Sequence, residues 1–222
     1  MNLDMMRSNI EFIDSQLTFA ALRFFCKYGS DGDLAKPFWS RSRGYVYASN
    51  GPSAIRIKTP EVPPDGSSNE SQHAENVEAL VRARSGYVSG FSLYLLNEAA
   101  EVSVAICRER NGVMTDGGFD ECFEKAFVSI PGVGIFNAGL LLDVVHAFGL
   151  VNRSGGERFY CVERKKNGTF SVLCCESLDM SVSAFVGGMT RYGVIDGRWV
   201  VVEVGSLRER TEREVEKIVR GY

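Results

Sequence analysis

The side chains able to do acid–base or nucleophilic chemistry are few and widely spaced along this chain. It holds two histidines, His73 and His146. His146 follows Asp143 by three residues, a spacing that puts both on one side of a helix, where a carboxylate could orient an imidazole as a general base. A surface or half-buried structural histidine satisfies the same pattern and is the preferred reading for both. Asp116, Asp120, Glu121 and Glu124 form an acidic group able in principle to hold a divalent cation. Their spacing does not fit a calcium loop, and a solvated acidic turn accounts for them. Gly132-x-Gly134-x-x-x-x-Gly139 follows an apolar stretch and precedes a helix, as a phosphate-cradling loop would. Its spacing misses the dinucleotide fingerprint, however, and Pro131 stands in the supposed turn. Six cysteines, Cys26, Cys107, Cys122, Cys161, Cys174 and Cys175, lie in apolar segments without zinc-site or redox-motif spacing, so they read as buried thiols. No cofactor and no metal is expected.

Composition sets wider bounds. With 222 residues, 45% of them hydrophobic, the chain is long enough to bury a real core as one large domain or two small ones. Its 25 Lys+Arg against 28 Asp+Glu give no global pull toward a polyanion, so nucleic-acid binding would need a local basic face. Apolar runs such as 139–142 and 199–202 are far shorter than the roughly 20 residues of a membrane helix. Asp4, Glu11 and Asp14 stand where a signal peptide would be basic and then apolar. A cytoplasmic, non-membrane protein is the expectation.

The elements that must position any site follow from periodicity. Leu17, Ala20, Ala21, Phe24, Phe25 and Tyr28 make one stripe of a helix over Ser15–Tyr28, with Ser15 as N-cap and Gly29 as stop. Tyr45–Ala48 and Ala54–Lys58 alternate as strands around a Ser49-Asn50-Gly51-Pro52 turn. Residues 59–72, with Pro60, Pro63, Pro64 and Gly66, read as an exposed connector. A short helix carrying Val77, Leu80 and Val81 follows, with Arg82 and Arg84 near its end. Tyr87–Leu96 and Val102–Arg108 read as a further pair of strands around 97–101. The polar run 111–127 leads to a boundary between an N-terminal unit, 1–127, and a C-terminal unit, 128–222.

In the second half, Leu141, Val144, Val145 and Phe148 mark a helix over Asn137–Phe148 with Asn137 as N-cap. Phe159–Arg164 and Thr169–Cys174 form a hairpin through Lys166-Asn167-Gly168, since Asn-Gly suits a type I′ turn. Ser181–Val186 and Trp199–Val204 are strands. Leu207–Tyr222 closes the chain as a helix whose five cations interleave with four anions; Glu209/Arg213 and Glu216/Arg220 are at ion-pair spacing, which marks a solvated or partner-packing face. Helix, strands and connector followed by helix and strands again give an α+β class with antiparallel sheet and helices packed on one side.

Several stretches resemble the bacterial and phage β sliding clamps. They are the first helix followed by Asp31-Gly32-Asp33-Leu34-Ala35-Lys36-Pro37-Phe38, then Gly44-Tyr45-Val46-Tyr47-Ala48-Ser49-Asn50-Gly51-Pro52-Ser53-Ala54-Ile55. Later come Phe127-Val128-Ser129-Ile130-Pro131, then Ile135-Phe136-Asn137-Ala138-Gly139-Leu140-Leu141, and Asp196-Gly197-Arg198-Trp199-Val200-Val201-Val202. The likeness covers most of residues 12–205 and consists of scaffold features. It departs from the family at Asn50, Pro52 and Ser53, where Asp, His and Arg are usual, and at Glu203-Val204, where Met-Pro often stands. The chain is also shorter than a three-domain clamp subunit.

The resemblance implies two clamp-like units, a homo-oligomer, and the role of a replication processivity factor of a phage or mobile element. Such a protein contacts duplex DNA without sequence preference and docks a polymerase or other replication protein through a short peptide. A clamp needs only a few cations aimed at phosphates. Arg23 and Lys27, one helical turn apart, and Arg82 and Arg84 are the candidates, although ordinary solvated helix faces carry as many. Two alternatives stand beside this reading. One is a clamp-fold interaction or regulatory protein that does not encircle DNA; the other is a small enzyme with a site at His146 and Asp143.

Overall fold

The computed structural model describes residues 14–26, 36–40, 42–59, 72–84, 86–90, 92–111, 125–165, 169–188 and 200–205. The expected connector 59–72 and the closing helix 207–222 fall almost wholly outside these residues. So do Lys27 and the acidic group Asp116–Glu124. The chain forms two compact units. The first comprises Met1–Tyr87, Asp143–Glu163 and Val172–Gly187; the second comprises Val88–Leu142, Arg164–Ser171 and Gly188–Tyr222. The class is α+β, with four helices packed against antiparallel-rich sheets among the described residues.

The first unit is built on a seven-stranded sheet of order β1-β2-β3-β9-β8-β7-β4. Its strands are β1 (Phe38–Ser40), β2 (Tyr45–Ser49), β3 (Ser53–Lys58), β4 (Gly86–Val88), β7 (Glu157–Lys165), β8 (Thr169–Ser177) and β9 (Val182–Gly187). The β1–β2, β2–β3, β3–β9 and β8–β9 pairs are antiparallel. The β2–β3 hairpin turns where the sequence placed it. Gly51 has a φ of 99°, and the Asn50 side chain accepts from both the backbone N–H and the hydroxyl of Ser53, at 2.9 Å each.

Helix α2 (Gln72–Arg82) lies on one face of this sheet. Ala74 and Val77 pack into a cluster with Phe38, Tyr47, Ala54, Val162, Val172, Cys174 and Phe185. Burying a large apolar side chain stabilises the unit by about 1.5–3 kcal/mol. Residues of the opposite parity, among them Val46, Ile55, Ile57, Leu173, Cys175, Val182, Ala184 and Val186, are buried too. A sheet buried on both faces needs cover on both. Among the described residues, the apolar positions available for that purpose are Ala21 and Leu22 of helix α1 (residues 14–23), Phe25 just beyond it, and Val144, Ala147, Phe148 and Val151 of helix α4 (Ala138–Val151).

The second unit holds a three-stranded sheet, β10-β5-β6, from β5 (Ala126–Ile130), β6 (Gly134–Asn137) and β10 (Val200–Glu203). β5 and β6 are antiparallel, whereas β10 joins β5 in parallel. Helix α3 (Leu93–Asn111) packs on both β5 and β10. The Ser103 hydroxyl, fully buried, reaches the carbonyls of Phe127 (2.9 Å) and Val200 (3.3 Å).

Helix α3 corrects the expectation of two strands over 87–96 and 102–108, of which only Tyr87 and Val88 are extended, within β4. The buried positions Leu96, Ala99, Ala100, Ser103, Val104 and Cys107 recur at helical spacing. Three of them are small, so the stripe is weakly apolar, while Val102, Val104 and Ile106 imitate a strand alternation.

Candidate functional site

Within the first unit, helix α1 lies beside the part of helix α4 from Asp143 onward. The Phe24 ring is 6.1 Å from that of His146, and Arg153 Nη2 donates to Asp14 Oδ1 at 2.8 Å. The start of α1 thus meets the end of α4 and its end meets the middle of α4, so the two run antiparallel. Asn137 caps α4 as its spacing predicts, its side-chain oxygen accepting from the Leu140 N–H at 3.1 Å. Arg23 is exposed on α1.

Beneath α2 the same unit contains a layer of buried charge. Antiparallel pairing aligns Tyr47, Arg56, Ser183 and Glu176 in one row across β2, β3, β9 and β8. Arg56 and Glu176 are only 6% and 2% exposed. Glu78, on the inner side of α2, accepts from the Tyr47 hydroxyl (2.8 Å) and from Arg56 Nη1 (3.0 Å). Arg56 Nε donates to the Ser183 hydroxyl at 3.2 Å, which donates to Glu176 at 3.1 Å. Glu176 is also ion-paired with Arg84 and stands 3.8 Å from Arg56 Nη2. Two aromatic faces complete the layer, with Arg56 4.6 Å over Tyr45 and Arg84 5.3 Å over Tyr160. At the rim, Arg43 pairs with Glu75.

The electrostatics follow from this geometry. Burial alone would raise the Glu78 carboxyl, but the Tyr47 hydrogen bond and the Arg56 charge outweigh it and hold the group below its usual value. Burial, followed by the Glu78 contact, pushes the Tyr47 hydroxyl well up. Two cations meet two anions, so no net charge is left over to activate a nucleophile. The arrangement clasps α2 to the sheet, which a half-satisfied network could not do.

The residues singled out from the sequence have different fates. Arg23 and Arg82 are exposed, and Lys27 is outside the described residues. Arg84 is held by Glu176 and by a 2.8 Å hydrogen bond from its Nε to the Val81 carbonyl. Among the three described candidates, Arg84 is thus engaged within the fold, whereas Arg23 and Arg82 face outward. Asp143 is half-buried, and burial pushes its carboxyl up to about 6. His146 is exposed on the same helix, and no hydrogen bond links it to Asp143 among the described residues. Gly132 sits in the β5–β6 turn with a φ of 73°, where Val133 N–H bonds the Ile130 carbonyl, giving that glycine a hairpin role. The five described cysteines are free, and burial pushes the Cys174 thiol up to about 12 and the Cys175 thiol well above its ordinary value.

Sequence periodicity does not reveal the buried charge layer, although a signal for it exists. Arg56 interrupts the apolar alternation of β3 between Ile55 and Ile57, and Glu176 follows the apolar run 172–175 of β8. Comparison of the chain with family models, curated proteins and solved structures finds no match.

Proposed function

We infer that the chain is a sliding-clamp-like accessory of DNA replication, of the kind a phage or mobile element encodes. It acts by binding and performs no chemistry of its own. As a homo-oligomer it would surround or lie along duplex DNA without reading sequence, and would dock a polymerase or similar partner through a short peptide. The observation that carries this reading is the antiparallel packing of α1 and α4 through Phe24–His146 and Asp14–Arg153, because paired helices over an antiparallel sheet are what the sequence likeness to clamps implies. Arg23, exposed on α1, is the cation that this reading assigns to phosphate contact. The test compares retention on a circular plasmid with retention after linearisation, alongside light scattering for subunit number. Retention on the circle and release from the cut plasmid are expected. A monomer at every concentration, or equal retention on both DNAs, overturns encirclement.

A second reading, a clamp-fold interaction protein that does not surround DNA, is favoured by the engagement of Arg84 in the internal ion layer. A stable oligomer without duplex binding at low salt would select it.

A further inference from the structure

We propose that the β4–β7 margin of the first unit is a stacking site for an unpaired base of single-stranded nucleic acid, with Tyr87 as platform and Arg82 and Arg158 as phosphate contacts. Tyr87 is the central residue of β4, the outermost strand beside β7, and is 66% exposed. A lone exposed tyrosine would need no explanation, but this one is part of an organised group. Its ring stands 6.1 Å from that of Tyr160, nearly perpendicular at 73°, and the Arg84 guanidinium covers Tyr160 at 5.3 Å.

The support is rigid before any ligand arrives. Tyr160 packs against the apolar cluster under α2, and Arg84 is anchored to Glu176 and to the Val81 carbonyl. A platform already fixed loses little freedom on binding. Cations flank it. Arg158 alternates with Tyr160 and Val162 along β7 and so shares their face; Arg82 ends α2 two residues before Arg84. Both are exposed, and neither is in an ion pair among the described residues, unlike Arg43, Arg56, Arg84 and Arg153. The carboxylate within the group, Glu176, is buried and paired with Arg84 and Arg56. Arg82 and Arg158 thus leave two exposed cations on these elements, while Glu157 falls on the other face of β7 from Arg158, on a chain of net charge −3.

Ring and cations together select the ligand. A duplex would satisfy the arginines but keeps its bases stacked on one another, leaving the ring without a partner. An apolar peptide would use the ring and leave the cations idle. An unpaired nucleotide offers a π-face and a phosphate within one residue of each other, which is how single-strand sites combine stacking with charge. This site is independent of encirclement, since it uses neither Arg23 nor the helix pair.

The probe is a fluorescein-labelled oligothymidylate of about 20 nucleotides, followed by anisotropy at low salt beside the same length of duplex. The full chain is expected to bind the single strand. Tyr87→Ala should weaken it by about 5- to 100-fold, and Tyr87→Phe, which keeps the ring, should stay within about two-fold. The double change Arg82→Ala/Arg158→Ala should lower the salt slope by about 1.4, at about 0.7 per lost phosphate contact. Unaltered melting curves confirm that these surface variants fold, and Arg23→Ala should leave single-strand affinity unchanged. The proposal is overturned if the oligonucleotide does not bind, which would leave the patch as a protein-contact surface. It is equally overturned if Tyr87→Ala binds like the parent, or if Tyr87→Phe loses as much as Tyr87→Ala.

Discussion

Arg56 Nη1 lies 3.0 Å from Glu78 Oε1, with the two side chains 8% and 13% exposed, so a strand cation and a helix anion meet largely out of water. Removing one member leaves the other's charge buried, at a cost of about 3–5 kcal/mol. Arg56→Leu also strips Glu176 of a neighbour at 3.8 Å. We expect this variant to lose about that much in urea unfolding, and Arg56→Leu/Glu78→Leu to lose less than the sum of the single changes. Additive losses would show that the two side chains are not coupled.

Asp143 and Glu78 respond to pH in opposite senses. Glu78 is held below its ordinary 4.5, so its contribution is present above that pH and is lost as pH falls through the folded value. Asp143 is raised from 3.8 to about 6 by burial, so the folded state favours its protonated form. Its effect is nil below about 4 and grows destabilising as pH rises to about 6, levelling above that. Asp143→Asn should therefore stabilise the protein at pH 8 by about 1–2 kcal/mol, after allowance for the water reaching a half-buried group, and change little at pH 3. Melting temperatures of both proteins across that range measure the difference; a constant gap would show that the carboxyl does not titrate differently on folding.

How much of this was readable beforehand depended on whether the signal was local. Asn137 names the start of α4 because its own side chain closes the first turn. Asn50-Gly51 names the β2–β3 turn because only its own conformation is at issue. Helix α3 reads as strands because its inward stripe relies on Ala99, Ala100 and Ser103, which are barely apolar, beside Val102 and Ile106, which favour strands. The charge layer was missed for another reason. Arg56 meets Glu78 across 22 residues and Ser183 across 127, and no periodicity reports a pairing that only the sheet order creates. Arg84 accordingly reads as an outward-facing cation, because its partner, Glu176, comes from a strand that only the fold brings beside it.

Met180 adopts a φ of 59° in the turn between β8 and β9, with its side chain 53% exposed. The turn is held by the Asp179 carboxylate, which accepts from the Ser177 hydroxyl (2.6 Å) and from the N–H and hydroxyl of Ser181 (3.1 and 2.8 Å). Left-handed backbone costs a side chain such as methionine about 1–2 kcal/mol, and asparagine tolerates it better. Met180→Asn is expected to raise stability by about 0.5–1 kcal/mol, since little burial is lost. Thermal unfolding provides the measurement, and a fall in stability would mean that Met180 makes contacts worth more than the strain.

Arg82 and Arg84 are two residues apart and of one type, yet they should behave as different residues. Arg84→Ala leaves Glu176, 2% exposed, with only Arg56 at 3.8 Å and the Ser183 hydroxyl for company. It also uncovers Tyr160. A loss of about 3 kcal/mol in folding stability is expected, within the range for breaking a buried pair. Arg84→Lys should recover only part of it, because an ammonium cannot present the planar fork that meets a carboxylate and an aromatic face together. Arg82→Ala removes an exposed side chain at the end of α2 and should shift stability by no more than about 0.5 kcal/mol. Parallel denaturation curves decide the matter. Equal effects from the two substitutions would mean that Arg84 is as solvent-facing as its neighbour and that the clasp under α2 does not hold.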